Sequence, residues 1–293
     1  MSTKDQIKQH LKQTDVLTRF IYINGGLFLV AILIEIIDFL FQQEGLLIGV
    51  VHKNLSLPAS LSNLVWKPWT LLTHMFYHGS GFTHLAFNMI SLYLGGRLFI
   101  QFLQSRKLIS TYILGGLSGA FLFILSYNIF PVFAAGLPFY MALGASASTT
   151  AIIIGIASYV PNYEVRMPFI GFVKLKYLAL SFVLIDLINI TSSNSGGHIA
   201  HLGGALYGFL YAMQLKKGKD WSEGFYTVVN AIKKPFAKEP TLRKVYSKPT
   251  NNTTRSKPKP KQELDQILDK IGQSGYDSLT AEEKEFLFKM GKK

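Results

Sequence analysis

The stretch Gly136–Val160, GLPFYMALGASASTTAIIIGIASYV, decides how this chain is read. Its second half is an apolar run that opens on a patch of small residues holding two serines, Ser146 and Ser148. Small polar residues in a membrane helix usually serve packing. A serine beside a general base is instead a nucleophile. The rest of the chain has to decide between the two.

Of the 293 residues, 49% are hydrophobic and only 16% charged, where a soluble domain carries about a quarter charged. The apolar residues come in long runs, and a bilayer-spanning helix needs about 20 of them. Six segments qualify or nearly do: 20–42, 82–104, 108–128, 144–160, 176–192 and 199–215. The expected fold class is therefore all-α, a polytopic bundle of six transmembrane helices with a tail. Residues 1–19 are polar and basic, and the next apolar run is too long for a signal peptide. The first span is expected to be retained. The absence of cysteine excludes disulfides and thiolate chemistry.

A net charge of +13 invites a nucleic-acid partner, but the charges follow topology instead. Lys4, Lys8, Lys12 and Arg19 precede the first span, and Arg106 and Lys107 follow the second. Arg166, Lys174 and Lys176 follow the fourth, and Lys216, Lys217 and Lys219 the sixth. The loops at 129–143 and 193–198 have no Lys or Arg, and the loop at 43–81 has only Lys53 and Lys67. The positive-inside rule then puts both termini in the cytoplasm; the expected location is a cell (inner) membrane, and no nucleic-acid partner is expected.

Four regions follow: a cytoplasmic segment 1–19, a six-helix domain 20–217, a basic Pro-rich linker 218–261 and a helical hairpin 262–293. The loop 43–81 carries Trp66 and Trp69 and reads as interfacial. In the tail, Leu264, Ile267, Leu268 and Ile271 share a helix face. Thr280 and Glu283 form a capping box ahead of a second helix that ends near Gly291. The tail is a place to expect a protein partner.

Polar residues at membrane depth are functional candidates. They gather at the starts of three spans: His84 and Asn88 on the second, Ser146 and Ser148 on the fourth, His198 and His201 on the sixth. These spans run the same way, so the groups share one depth, about 5–10 Å below the outer surface. Gly204 and Gly208, with Gly144 beside Ser146, let backbones meet closely. His201 would take the Ser146 proton. His84, Asn88 and the Ser146 N–H would stabilise the oxyanion, though interhelical hydrogen bonding is an alternative for His84 and Asn88. No acid is placed to orient His201 as in a triad. Asp186 falls in the outer half of the fifth span, and a supporting role for it stays open. His74 and His78 read as hydrogen-bonded loop residues. A metal site from His74, His78, His84 and His198 is set aside, because the i,i+4 His pair lacks the Glu of a zinc protease. No metal and no cofactor are expected.

The motifs His84-Leu-Ala-Phe-Asn88, Gly144-Ala-Ser146-Ala147 and Ala200-His201-Leu-Gly-Gly204-Ala-Leu-Tyr-Gly208, in that order, resemble the rhomboid family of intramembrane serine proteases. The resemblance spans about residues 18–215. It implies a Ser146–His201 dyad, an oxyanion site with His84 and Asn88, and cleavage of other proteins' transmembrane segments. The tail is similar to a small module appended to rhomboids of Bacteroidetes-type bacteria. Many members have Trp-Arg where this chain has Trp69-Thr70, and Gly where it has Ala147. Some carry a Tyr that stacks on the histidine where it has Thr150. The expected activity is endopeptidase cleavage near the outer end of a membrane-protein substrate's helix, at helices weakened by Gly or Pro. The alternative is an inactive scaffold that binds membrane proteins.

Overall fold

The computed structural model describes residues 14–168, 170–236 and 260–291, with 260–262 as backbone alone. The chain divides into two compact units, Met1–Ala237 and Lys238–Lys293.

In the first unit, helix α1 (Val16–Leu40) starts on Asp15, whose side chain accepts the Thr18 N–H at 2.8 Å. Three short helices follow: α2 (Leu46–Leu55), α3 (Leu61–Trp66) and α4 (Thr70–Thr73). The long α5 (Phe82–Ile129) breaks at Gln104, which takes a positive φ of 65° and divides the helix into two arms. Then come α6 (Ser146–Tyr159), α7 (Leu175–Ile188), α8 (Ser195–Lys216) and α9 (Trp221–Lys233). Helix thus occupies most of each of the six apolar segments. Two described helices, Val16–Leu40 and Phe82–Ile129, are long and apolar enough to cross a membrane. Large apolar side chains stand exposed on these helices, among them Leu29, Phe39, Phe87, Leu94 and Phe121.

Two small sheets accompany the helices. Strand β1 (Leu57–Pro58) pairs antiparallel with β2 (Met141–Ala142), tying the loop after α2 to the chain just before α6. Strands β3 (Glu164–Met167) and β4 (Gly171–Lys174) form a hairpin between α6 and α7. The 43–81 loop has internal anchors. Lys67 donates to the Lys53 carbonyl at 3.0 Å and the Trp69 indole to the Asn54 carbonyl at 2.8 Å. Asp38, buried at the end of α1, accepts the N–H groups of Leu47 and Ile48 and so caps α2.

The core is built on glycine. A Cβ on Gly204 would lie 2.1 Å from the Ala147 carbonyl oxygen, and one on Gly208 would lie 2.2 Å from that of Ala151. A Cβ on Gly115 would meet the Ala151 methyl at 2.2 Å, and one on Gly119 the Ala147 methyl at 2.5 Å. Helix α6 is thus held against α8 on one side and the second arm of α5 on the other, at backbone distance. Ten of its residues are buried.

Residues 221–233, read above as linker, are helix instead. Asp220 caps α9 and accepts from Lys107, from Tyr211 Oη at 3.1 Å and from the Ser222 N–H at 2.9 Å. Burial alone would raise the Asp220 pKa, but the hydrogen bonds from Lys107 and Ser222 prevail and bring it to about 2. Trp221, Phe225 and Val228 repeat at helical spacing, a short signal easily lost beside the Lys- and Pro-rich run that follows. The expected linker at 237–259 lies outside the described residues.

The described residues of the second unit form a helical hairpin, α10 (Pro260–Ser274) and α11 (Ala281–Met290). The Thr280–Glu283 capping box is formed, and Lys270 pairs with Glu283 at 2.8 Å. Ile267 and Leu279 are its buried residues, whereas Leu268 points outward, half exposed, so the apolar face is narrower than its spacing suggests.

Candidate active site

Ser146 is the first residue of α6. The first N–H groups of a helix have no intrahelical acceptor, and they carry the positive end of the helix dipole. Gly144 makes the turn into the helix with φ +108°, a conformation that side-chain-bearing residues rarely adopt. A Cβ there would also strike the His84 ring, 2.7 Å from Cε1 and 2.8 Å from Nε2. Glycine is therefore required twice over: for the backbone conformation and for the imidazole lying against it.

The turn is held from below by the two loop histidines. The Gly144 N–H donates to the His74 carbonyl at 2.8 Å, and the Ala145 N–H to His78 Nε2 at 3.2 Å. His78 must therefore be an acceptor at Nε2, which requires a neutral ring. Burial, and then the neighbouring His84, push its pKa down to about 4. Burial does the same to His74, whose Nδ1 lies 2.7 Å from the Thr70 carbonyl. The ring of His78 packs edge-on to His84 at 5.1 Å between centroids.

One cavity of about 610 Å³ collects the residues of interest. Its lining includes His84 and Asn88 from the first arm of α5, Gly144 from the turn before α6, Ser146 from α6, Asp186 from α7 and His198 and His201 from α8. Ser146 opens onto it. Ser148 does not, being buried with its hydroxyl unpaired, and a Cβ on Gly116 would lie 2.5 Å from its Oγ. The Asn88 amide donates to the His84 carbonyl at 2.9 Å within its own helix, while its Oδ1 is buried without a partner. Gly204 and Gly208 set the approach of α8 to α6 one and two turns beyond His201.

Asp186 is the residue that the sequence reading undervalued. Its Oδ1 accepts from His201 Nδ1 at 2.9 Å and from His198 Nδ1 at 2.8 Å. An acid does face His201, contrary to the expectation that none would. With the proton on Nδ1, the His201 Nε2 lone pair is left free to act as a base. The expected depth of Asp186 was the available signal. Which way it pointed around α7 was not legible. Thr150, where a stacking Tyr was absent, lines the same cavity, so the carboxylate supplies an orienting contact in place of a ring. The four-histidine metal set is not what comes together. Among the described residues, Asp186, His198 and His201 are the one group of three metal-ligand side chains whose ligand atoms lie within 4.8 Å of one another.

Comparison with known proteins gives two family matches. Residues 65–218 match the rhomboid domain. Residues 251–293 match a family of unknown function, DUF6576. No curated protein is significantly similar to the chain.

Proposed function

The chain belongs to the rhomboid family, membrane-embedded proteins that are generally intramembrane serine proteases, and from that premise we propose that it is an active intramembrane serine endopeptidase. Ser146 is its nucleophile and His201 its general base and acid. His84 and Asn88, with the first N–H groups of α6, stabilise the tetrahedral intermediate. The six apolar segments cross the membrane, both termini are cytoplasmic, and the site opens toward the outer side. Substrates are single-pass or other membrane proteins whose helices are weakened by Gly or Pro.

The observation that carries this reading is the cavity shared by Ser146, His201 and the His84–Asn88 pair, with a carboxylate on the far nitrogen of His201. Ser146 Oγ attacks the scissile carbonyl as His201 Nε2 takes its proton. Asp186 stabilises the imidazolium and fixes the tautomer without itself becoming protonated. His201 then returns the proton to the leaving amine. Water hydrolyses the acyl-enzyme by the same route.

The test is cleavage of a membrane-anchored reporter by the wild type beside Ser146→Ala and His201→Ala. Only the wild type should cut. A wild type that cleaves no substrate, and whose Ser146 takes no serine-directed covalent probe, sinks the proposal. Unchanged partner capture by all three proteins, without turnover, would favour the binding scaffold.

A further inference from the structure

We propose that Asp186, His198 and His201 form an inhibitory site for a zinc-class divalent cation inside the cavity. The ion's binding rests only on these three side chains. Its inhibitory effect rests on the reading of His201 as the base.

Two imidazole nitrogens converge on one carboxylate oxygen, at 2.8 and 2.9 Å. Tetrahedral zinc bound at about 2.0–2.2 Å separates its ligand atoms by about 3.3 Å. The two N···O separations therefore need to widen by only about half an ångström to admit the ion, and the three ligand atoms already lie within 4.8 Å of one another. His198 and His201 lie three apart on α8, on one face of the helix. Their side chains keep 19% and 22% of their exposure, enough for an ion to reach them. Two nitrogens and a carboxylate suit zinc and its neighbours, and they do not suit calcium or magnesium, which prefer oxygen. The fourth position would be taken by water from the cavity.

His198 is otherwise unexplained by proteolysis. It shares the carboxylate with His201, and the reaction assigned above has no step for it. A second imidazole on the same oxygen is what a metal site needs.

The consequence for catalysis follows from the tautomer. The metal takes the lone pair at His201 Nδ1, so the one proton of the neutral ring moves to Nε2. Nε2 then carries a proton and has no lone pair to accept one from Ser146. The same ion claims the Asp186 carboxylate, which can no longer stabilise an imidazolium. The ion thus removes the base and its orienting partner together, and withdrawing it restores both.

Binding is measured first, on the full-length Ser146→Ala protein in detergent, with Co²⁺ as a spectroscopic probe. Co²⁺ should bind at one equivalent, give the strong visible bands of a tetrahedral site and be displaced by Zn²⁺. Those bands should be lost when either His198→Gln or Asp186→Asn is added to the same background. Inhibition is measured next, on reporter cleavage. Zn²⁺ should inhibit the wild type, and His198→Gln should need at least about 10-fold more. Ca²⁺ and Mg²⁺ should inhibit neither protein at those concentrations. No tetrahedral Co²⁺ spectrum, or equal Zn²⁺ sensitivity with and without His198, overturns the site. If the wild type cleaves nothing, it is the protease reading that fails, and the cobalt spectrum still decides the metal site.

Discussion

Helices α6 and α7 both line the cavity, yet they are held in opposite ways. Helix α6 buries ten residues and meets its neighbours through glycine, backbone to backbone. Helix α7 buries two, Leu175 and Asp186, and leaves most of its apolar side chains exposed. The proposed nucleophile thus sits on a closely packed element, where a reacting atom must be placed to a fraction of an ångström. The acid sits on a loosely packed one, and its bonds to His198 and His201 are a main polar tie between α7 and α8. The position of Ser146 depends on packing, whereas that of Asp186 depends on two hydrogen bonds.

The sharpest way to break this comparison is at α6 itself. Ser146→Ala should reduce reporter cleavage by about 10⁴-fold or more, with the unfolding midpoint unchanged. Comparable residual cleavage in the variant would mean that the nucleophile lies elsewhere. Next is the seam. Gly204→Val drives a side chain into the Ala147 carbonyl, where backbone rather than a flexible side chain must give way. The loss should be about 3 kcal/mol, read as a lowered unfolding midpoint in detergent. Gly224→Val, which meets nothing within 4 Å, is the control.

The α7 arm of the comparison predicts a smaller and different loss. Asp186→Asn should lower kcat by about 100-fold, less than in a fully buried triad, because this carboxylate is shared and the cavity is open. KM should change little, since the carboxylate acts through His201 and not on the substrate. Asp186→Glu should recover part of kcat. A variant that alters KM alone, or unfolds α7 without a kcat effect in the folded fraction, would make Asp186 merely structural.

The two regions also differ in how legible they were. Long apolar runs gave the helices, because burial in lipid leaves few alternatives to helix. Ser146, His201, His84 and Asn88, which line one cavity, are singled out in the sequence because three apolar segments expected to run the same way each begin with polar residues. Gly204 and Gly208 showed their spacing. The matching glycines on α5, Gly115, Gly116 and Gly119, passed unread, since small residues in an apolar run say nothing of their partner. The sequence gives an expected depth for Asp186 but not the face of α7 that it occupies. A loosely packed helix has no strong apolar asymmetry to fix its rotation, so its inward residue is not written in its pattern. The α9 helix was missed because its apolar stripe is short and its flanks are basic.

A gentler perturbation tests the floor beneath α6. His78 holds the Gly144–Ala145 turn through its neutral ring and His74 through its backbone carbonyl, and both buried rings have folded values near 4 against an unfolded value near 6.5. Between those values the unfolded chain binds more protons than the folded one. Their contribution to stability is complete above about pH 6.5 and is lost as pH falls toward about 4. The unfolding midpoint of the Ser146→Ala protein should drop across that window. His78→Gln, which can still accept from Ala145, should flatten the drop, and an identical pH dependence would remove His78 from the account.

The smallest expected effect lies two residues from the largest. Successive helical residues turn by about 100°, so Ser146 and Ser148 point about 200° apart. Ser146 faces the cavity, and Ser148 packs toward Gly116 and Met75 with no partner for its hydroxyl. An unpaired buried hydroxyl contributes no hydrogen bond to lose, and its removal relieves a desolvation cost. Ser148→Ala should therefore leave cleavage within about threefold of wild type and stability equal or slightly raised. If Ser148→Ala abolished cleavage while Ser146→Ala spared it, the register of α6 would be wrong by half a turn. The contrast between the rigid and the loose helix would then have been drawn on the wrong face.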